Sequence, residues 1–345
     1  MELGIGMFGD IPRNADGSLQ PAHRRLKELV EEIKLMDEVG LDFFGIGEHH
    51  RPEYAVSVPE IVLAAAAGAT KNIRLGSAVS VLSSSDPVRL YQSFATLDGI
   101  SGGRAELVVG RGSFIESFPL FGQDLAHYDE LFEEKLELLL EVNKNERVTW
   151  KGRFRPELKN QAVYPRAESP EGLPVWVAVG GTPESVLRAA RHGLPLIFAI
   201  IGGDPAGFVP LFDYYRKAWA HFEHDPAKLQ VGVHMHAFFG DDSSSTADAY
   251  YPVYAAQMDR IGRDRGWPPF QRRQFDAGRG PKGHLLIGDP SEAIDKILAL
   301  KELLGLTRFS AHMDVGGPDH KSLMKSIELF GTKIAPAVRQ AGSAL

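Results

Sequence analysis

The chain contains no cysteine in its 345 residues. That absence excludes a disulfide framework, a thiol nucleophile, a cysteine-ligated zinc site and a cysteine-held iron–sulfur cluster. Long apolar runs are missing as well: the longest, Ile61 to Ala69, falls well short of the roughly 20 residues that span a bilayer. The start, Met1-Glu2-Leu3-Gly4, has no basic segment leading into an apolar one, so a soluble cytoplasmic protein without a leader is expected. Positive charge is scarce too. With 38 Lys and Arg against 45 Asp and Glu, the formal net charge is −7, the opposite of the basic face that a nucleic-acid binder needs.

What the chain does have is a regular alternation of short β-type runs and amphipathic helical stretches. Leu3 to Met7, Leu41 to Ile46, Ile73 to Val79, Ala105 to Val109, Val175 to Val179, Leu196 to Ile200, Val231 to Phe239 and Arg308 to Met313 read as strands. Helical patterns separate them. Leu26, Leu29, Val30, Ile33 and Met36 mark one face of the first helix, and Asp86-Pro87 has the form of an N-cap and first helical residue.

Eight strand–helix units predict an α/β fold, a (β/α)8 TIM barrel spanning 1–345 as a single domain, because parallel neighbours need helical crossovers. An open doubly wound sheet is the competing architecture. Two insertions are expected. One is a small hairpin, Val148 to Phe154, after the fourth predicted helix; the other is a Gly-, Pro- and Arg-rich segment, 262–283, after the seventh predicted strand. The second is too long for an ordinary connection and reads as a mobile active-site loop.

Two glycine patterns imitate the dinucleotide fingerprint, Gly4-x-Gly6-x-x-Gly9 and Gly278-x-Gly280-x-x-Gly283. Neither sits between a strand and a helix, so both read as loop glycines. More informative residues cluster just past the predicted strands, where a barrel gathers its reactive side chains. Gly47-Glu48-His49-His50 follows the second strand. A carboxylate beside two imidazoles suits acid–base work, metal ligation or a hydrogen-bonded turn. His234 and His236 share one face of the seventh strand, and His312-x-Asp314 ends the eighth. With Glu48 and His49 they could form a hydrolase metal centre, a structural histidine cluster being the alternative.

Two further strand ends suit a phosphorylated ligand. In Gly180-Gly181-Thr182-Pro183-Glu184-Ser185, free backbone N–H groups and the Thr182 and Ser185 hydroxyls could hold a phosphate or simply begin a helix. In Gly110-Arg111-Gly112-Ser113 the glycines let backbone approach a ligand while the guanidinium forks onto an anion. Met7, Phe8, Phe114 and Phe118 are candidates for an apolar pocket or for ordinary core.

Taken in order, these segments resemble the bacterial-luciferase-like family of flavin-dependent monooxygenases. The similarity covers nearly the whole chain: Gly47 to His50, Arg74-Leu-Gly-Ser-Ala-Val-Ser-Val-Leu82, Asp86 to Arg89, Leu97 to Arg104, Val109 to Phe114, Pro119 to Gly122, Gly180 to Ser185 and Gly288 to Glu292. The resemblance implies an eightfold barrel that binds reduced FMN and lets it react with O2. By position it implies that Gly181, Thr182 and Ser185 contact the FMN phosphate, with Arg111, next to Gly112, as its charged partner. It places a non-proline cis peptide at Ser77-Ala78 against the flavin ring, and the assisting imidazole at His49, with Glu48 beside it. Tyr128 falls near a further phosphate-binding arginine of luciferase and is its expected substitute, and Gly110 stands in place of luciferase's reactive cysteine.

The function implied is that of a two-component FMN-dependent monooxygenase. It would take reduced FMN from a separate NAD(P)H:flavin reductase and use O2 to oxidise a small organic substrate, as a homodimer, with no metal, nucleic-acid or membrane partner. Three alternatives stand beside it: an F420-dependent oxidoreductase of the same superfamily, a metal-dependent barrel hydrolase using Glu48, His49, His234, His236 and Asp314, and a non-catalytic flavin-binding protein.

Overall fold

Strands that are apolar on both faces need cover on both, and here they find it by closing on one another inside a ring of helices. The computed structural model describes residues 1–343; residues 344–345, at the end of the expected single-domain span, lie outside them. The first half runs β1 (Glu2–Met7), α1 (Ala22–Glu38), β2 (Phe43–Ile46), α2 (Pro59–Ala67), β3 (Arg74–Ser77), β4 (Ser80–Val81), α3 (Pro87–Ser101), β5 (Ala105–Gly110), α4 (Ser117–Leu120) and α5 (Tyr128–Lys144). A hairpin of β6 (Arg147–Trp150) and β7 (Leu158–Ala162) follows.

The second half runs β8 (Val175–Val179), α6 (Pro183–Arg191), β9 (Leu196–Ala199), α7 (Val209–His221), β10 (Val231–Phe239), α8 (Ser243–Arg265) and α9 (Arg272–Arg279). It ends with β11 (Leu286–Gly288), α10 (Pro290–Leu304), β12 (Arg308–His312), α11 (His320–Leu329) and α12 (Ala335–Ser343). Parallel pairing in the order β1-β2-β3-β5-β8-β9-β10-β12, with β12 returning to β1, closes an eight-stranded barrel. The expected (β/α)8 architecture is therefore the observed one. Among the described residues no helix is long and apolar enough to cross a membrane.

Helix starts follow the sequence signals. Asp86 accepts from Arg89 N at 3.0 Å as the N-cap of α3, and Asp242, Asp289 and Asp319 do the same for α8, α10 and α11.

Two expectations shift. The hairpin's return strand begins at Leu158, later than Phe154, because the Glu134 carboxylate on α5 accepts from Arg153 N (2.6 Å) and Phe154 N (2.9 Å) and holds the link against the helix. The 262–283 segment is also more ordered than its composition suggests: α8 continues to Arg265, Gly266 (φ 70°) ends it, and α9 forms within the segment. Its start is fixed by a reciprocal Gln271–Gln274 capping box, and buried Phe275 docks on Tyr251 and Tyr254.

Inside the barrel, bulky branched layers are the usual filling. Here several inward positions are glycine, and each gives room to a neighbour's side chain. A Cβ at Gly4 would fall 2.6 Å from the Phe43 ring, one at Gly6 2.5 Å from His234, and one at Gly76 2.8 Å from Glu106. The space left between these side chains and the strand ends is a cavity.

Its floor is ionic. Arg308 on β12, 2% exposed, makes a two-pronged contact with Glu106 on β5 (2.7 and 2.9 Å) and a third contact with Glu2 on β1 (2.8 Å). The guanidinium lies between the rings of Phe43 and Trp176, 4.3 and 4.0 Å from their centroids. Removing one member of a buried pair strands the other charge, at about 3 to 5 kcal/mol. Glu106→Leu should therefore lower unfolding stability by that order in urea titrations. Adding Arg308→Met to it should recover part of the loss.

Candidate active site

Most of the cavity's lining comes from the segments just past the C-terminal ends of strands, above the Glu106 and Arg308 floor. Phe8 follows β1, Glu48 and His49 follow β2, Ala78 and Val79 separate β3 from β4, and Arg111 to Phe114 follow β5. Gly180 follows β8, while His234 and Ser310 project inward from β10 and β12. Together they enclose a cavity of about 270 Å³. Phe8 and Phe114 line it, whereas Met7 and Phe118, the other apolar candidates, are buried and lie outside its lining.

One end is built for an anion. Arg111 donates to Ser185 Oγ at 2.9 Å and pairs with Asp129 through its other terminal nitrogen. Thr182 occupies the N-cap position of α6 as expected, with Pro183 next, but its hydroxyl lies 2.8 Å from Ser185 Oγ and makes no capping bond. The first backbone N–H groups of α6 are thus left without a side-chain cap, beside two hydroxyls and a guanidinium. Gly181, at φ 120°, takes a backbone angle that L side chains rarely adopt. Such a set suits a phosphate monoester. Tyr128 borders the cavity, its ring 5.2 Å from the Arg111 guanidinium, but its hydroxyl donates to Gly112 O at 2.5 Å. In this arrangement it fastens the Arg111 loop.

Along the wall the cis peptide is Ala78-Val79, one residue later than the expected Ser77-Ala78. Ser77 is turned to another purpose: its hydroxyl donates to Val108 O (2.8 Å) and accepts from Val108 N (3.1 Å), tying β3 to β5. Val79, Val108, Trp176, Ala178 and Ile197 make a small apolar cluster of their own, and Gly110 keeps the wall thin, since a Cβ there would fall 2.9 Å from Val79.

The far end carries imidazoles. Glu48 and His49 do not pair: Glu48 accepts from Val81 N at 2.8 Å and meets His50 Nε2 at 3.0 Å. Burial pushes the Glu48 carboxyl above its ordinary range. The His49 ring stacks on Tyr54 (4.2 Å, 22°) and touches Phe8 and Phe114, and no protein group hydrogen-bonds its nitrogens among the described residues. Burial pushes His49 down to about 3, and likewise His234, whose Nδ1 lies 3.0 Å from Ser310 Oγ. His236, paired with Tyr254 OH at 2.9 Å, is held well below its ordinary value by burial and by His312.

Asp314 is an anchor. Its carboxylate accepts from the backbone N–H groups of Phe8 (3.1 Å), Gly9 (2.8 Å) and Asp10 (3.1 Å) and lies 3.5 Å from Arg25. It thereby sets the loop that places Phe8. The five residues of the hydrolase alternative consequently form no common ligand set. Among the described residues, the metal-sized grouping nearest the cavity is Asp10, His312 and Asp314, whose central carboxylate already serves the backbone.

A closed (β/α)8 barrel whose mouth combines an anion clamp, an apolar wall and neutral imidazoles is the framework of a cofactor-dependent oxidoreductase. The chain belongs to the luciferase-like monooxygenase family, whose model matches residues 2–307. It is 31% identical to an alkanal monooxygenase alpha chain of Photorhabdus luminescens, over 91% of this chain and 92% of that one. It is 30% identical to an F420-dependent glucose-6-phosphate dehydrogenase of Amycolatopsis mediterranei, over 48% of this chain and 51% of that one. In fold it is similar to the monooxygenase RslO1 from Streptomyces bottropensis, with a TM-score of 0.83 at 22% identity, covering 97% and 99% of the two chains.

The neutral imidazoles carry a cost in acid. His236 protonates in the unfolded chain below about pH 6.5 but stays neutral when folded, so stability falls as pH drops below that value. His236→Gln should make the slope of unfolding free energy against pH, measured from pH 6.5 downward, shallower by up to about 1.4 kcal/mol per pH unit.

Proposed function

We propose that this protein is a two-component monooxygenase that binds reduced FMN, delivered by a separate NAD(P)H:flavin reductase, and oxidises a small organic substrate with O2. The observation that carries this reading is the Arg111–Ser185–Thr182 cluster at the uncapped start of α6, set at the edge of an apolar cavity that ends in neutral histidines. Arg111 and the Gly181 to Ser185 turn hold the FMN phosphate. The Ala78-Val79 peptide, with Ser77 and Gly112 nearby, borders the space for the ring system, and Tyr128 steadies the loop that carries Arg111.

When bound, the flavin supplies the oxygen chemistry that side chains cannot. The chain binds and orients it, and keeps water out with Phe8, Val79, Val108 and Phe114. His49 acts as a neutral hydrogen-bonding group that positions the reacting groups in the cavity, while Glu48 is a positioning residue that fixes His50 and the strand β4 backbone at Val81. The outer faces of α2 and α3, where Ile61 (69%) and Ile100 (58%) stand exposed, support a homodimer.

The F420 alternative has its support in the dehydrogenase that matches about half of this chain; the alkanal monooxygenase match, which spans nearly all of it, supports the monooxygenase reading. Parallel titrations with FMN, reduced FMN and F420 decide between them. The FMN forms should bind more tightly, and preferential F420 binding would replace this reading with the deazaflavin one. Arg111→Ala should raise the FMN dissociation constant at least about tenfold, since a charge-assisted contact contributes about 1.5 to 3 kcal/mol. His49→Ala should leave FMN affinity unchanged and reduce turnover about 10²-fold or more. A wild-type rate in that variant would remove His49 from the chemistry.

A further inference from the structure

The stretch of chain after β5 that carries Phe114 lines the cavity with few ties of its own. It starts at Gly112, in the left-handed region at φ 78°, and ends where Ser117 and Phe118 of α4 are buried. Among the described residues, no backbone–backbone hydrogen bond joins Gly112 to Glu116 with any part of the chain outside this loop. Tyr128 OH, donating to Gly112 O, holds only its first residue. Ile115, in its middle, stands 54% exposed, so burial does not pin the stretch either.

One guanidinium holds it down. Arg51 lies over the Phe114 ring, 4.3 Å from its centroid, and pairs with the Glu116 carboxylate two residues on. Its Nη1 donates to Asp264 Oδ2 on α8 at 2.6 Å, which ties the same point to the long insertion after β10. Arg51 itself stands on a fixed turn. Arg51 O accepts from Tyr54 N (3.2 Å), and the turn is bonded to the loop after β1 through Ile11 N to Glu53 O (2.9 Å) and Ala55 N to Gly9 O (2.8 Å).

The ring that Arg51 covers is also a wall of the site. Phe114 lines the cavity and meets the His49 imidazole edge-on, with centroids 5.2 Å apart. All three members of the ionic cluster reach solvent, with side chains 23% (Arg51), 25% (Glu116) and 51% (Asp264) exposed. Ion pairs of that kind are weak and screened by salt, so the clasp can open without unfolding its surroundings.

We infer that Arg51 is a positioning residue, the latch of a flap formed by 112–116, and that ligands enter and leave the cavity when this flap lifts Phe114 away from His49. The latch goes beyond the flavin reading, on which only the kinetic arm of its test rests.

The first arm is amide hydrogen exchange of the full-length protein, followed by mass spectrometry. Arg51→Ala should speed exchange in 112–116 about tenfold and leave β5 unchanged, with Arg51→Lys falling between the two. Raising NaCl to about 1 M should speed exchange of 112–116 in the wild type but add nothing in Arg51→Ala. The second arm is stopped-flow mixing with FMN. Because the flap must open in both directions, Arg51→Ala should raise the association and dissociation rates by a similar factor, about tenfold, and leave the dissociation constant near the wild-type value. A residue that merely supports the site would raise the dissociation rate alone. Unchanged exchange at 112–116 in Arg51→Ala, a salt response that survives in that variant, or a faster dissociation with no faster association would each overturn the latch. Should FMN fail to bind the wild type, the flavin reading falls, while amide exchange still decides whether Arg51 holds the flap.

Discussion

The ion pair between Glu106 and Arg308 sets the terms for the rest of the molecule. It joins strands on opposite sides of the barrel and is reinforced by Glu2 and by two aromatic faces. A barrel with glycines at inward positions such as Gly4, Gly6, Gly45 and Gly76 lacks the branched side chains that ordinarily fill its centre. A desolvated guanidinium clamped by carboxylates can hold the floor in their place, because moving either partner exposes an uncompensated charge. The upper barrel is then free to stay open. The cavity is thus the complement of the floor: packing is concentrated below, and space is left where the strand ends converge.

That division explains why the site's polar groups fall into two kinds. Those with structural duties face backbone: Ser77 ties β3 to β5, Glu48 holds Val81, and Asp314 collects three N–H groups from the loop after β1. Those without a backbone duty lie at the two ends of the cavity: Arg111, with Ser185 and Thr182 beside it, at one, His49 and His234 at the other. Burial keeps both of these imidazoles uncharged at neutral pH, so the histidine end offers hydrogen bonds without a net charge.

Much of this was legible in the sequence, and the reasons differ by residue. Barrel strands and helices announce themselves through period and caps, and residues just past strand ends converge by topology alone, so Arg111, Thr182 and Ser185 could be grouped across a separation of more than 70 residues. The Glu106–Arg308 pair was missed because its members lie 202 positions apart, although a charged residue on an inward position of an apolar strand was a usable signal. The partner chosen by Glu48 was hidden for another reason: which neighbouring imidazole it meets depends on the direction of a turn, a matter of backbone angles that residue types do not encode. Peptide isomer escapes the same way, and the cis bond lies one position from where resemblance put it. Within 262–283, glycine and proline masked a short helix whose only apolar anchor is Phe275.

The Asp314 anchor also imposes a chronology. β1 is the first strand to leave the ribosome, yet it pairs with β12, and the loop that carries Phe8 is shaped by a carboxylate about 305 residues later. Contacts of such span cannot form while the chain is still short. The aromatic wall of the cavity is therefore among the last features to be completed during synthesis, and a chain that stops before Asp314 has the residues of the active site without the active site.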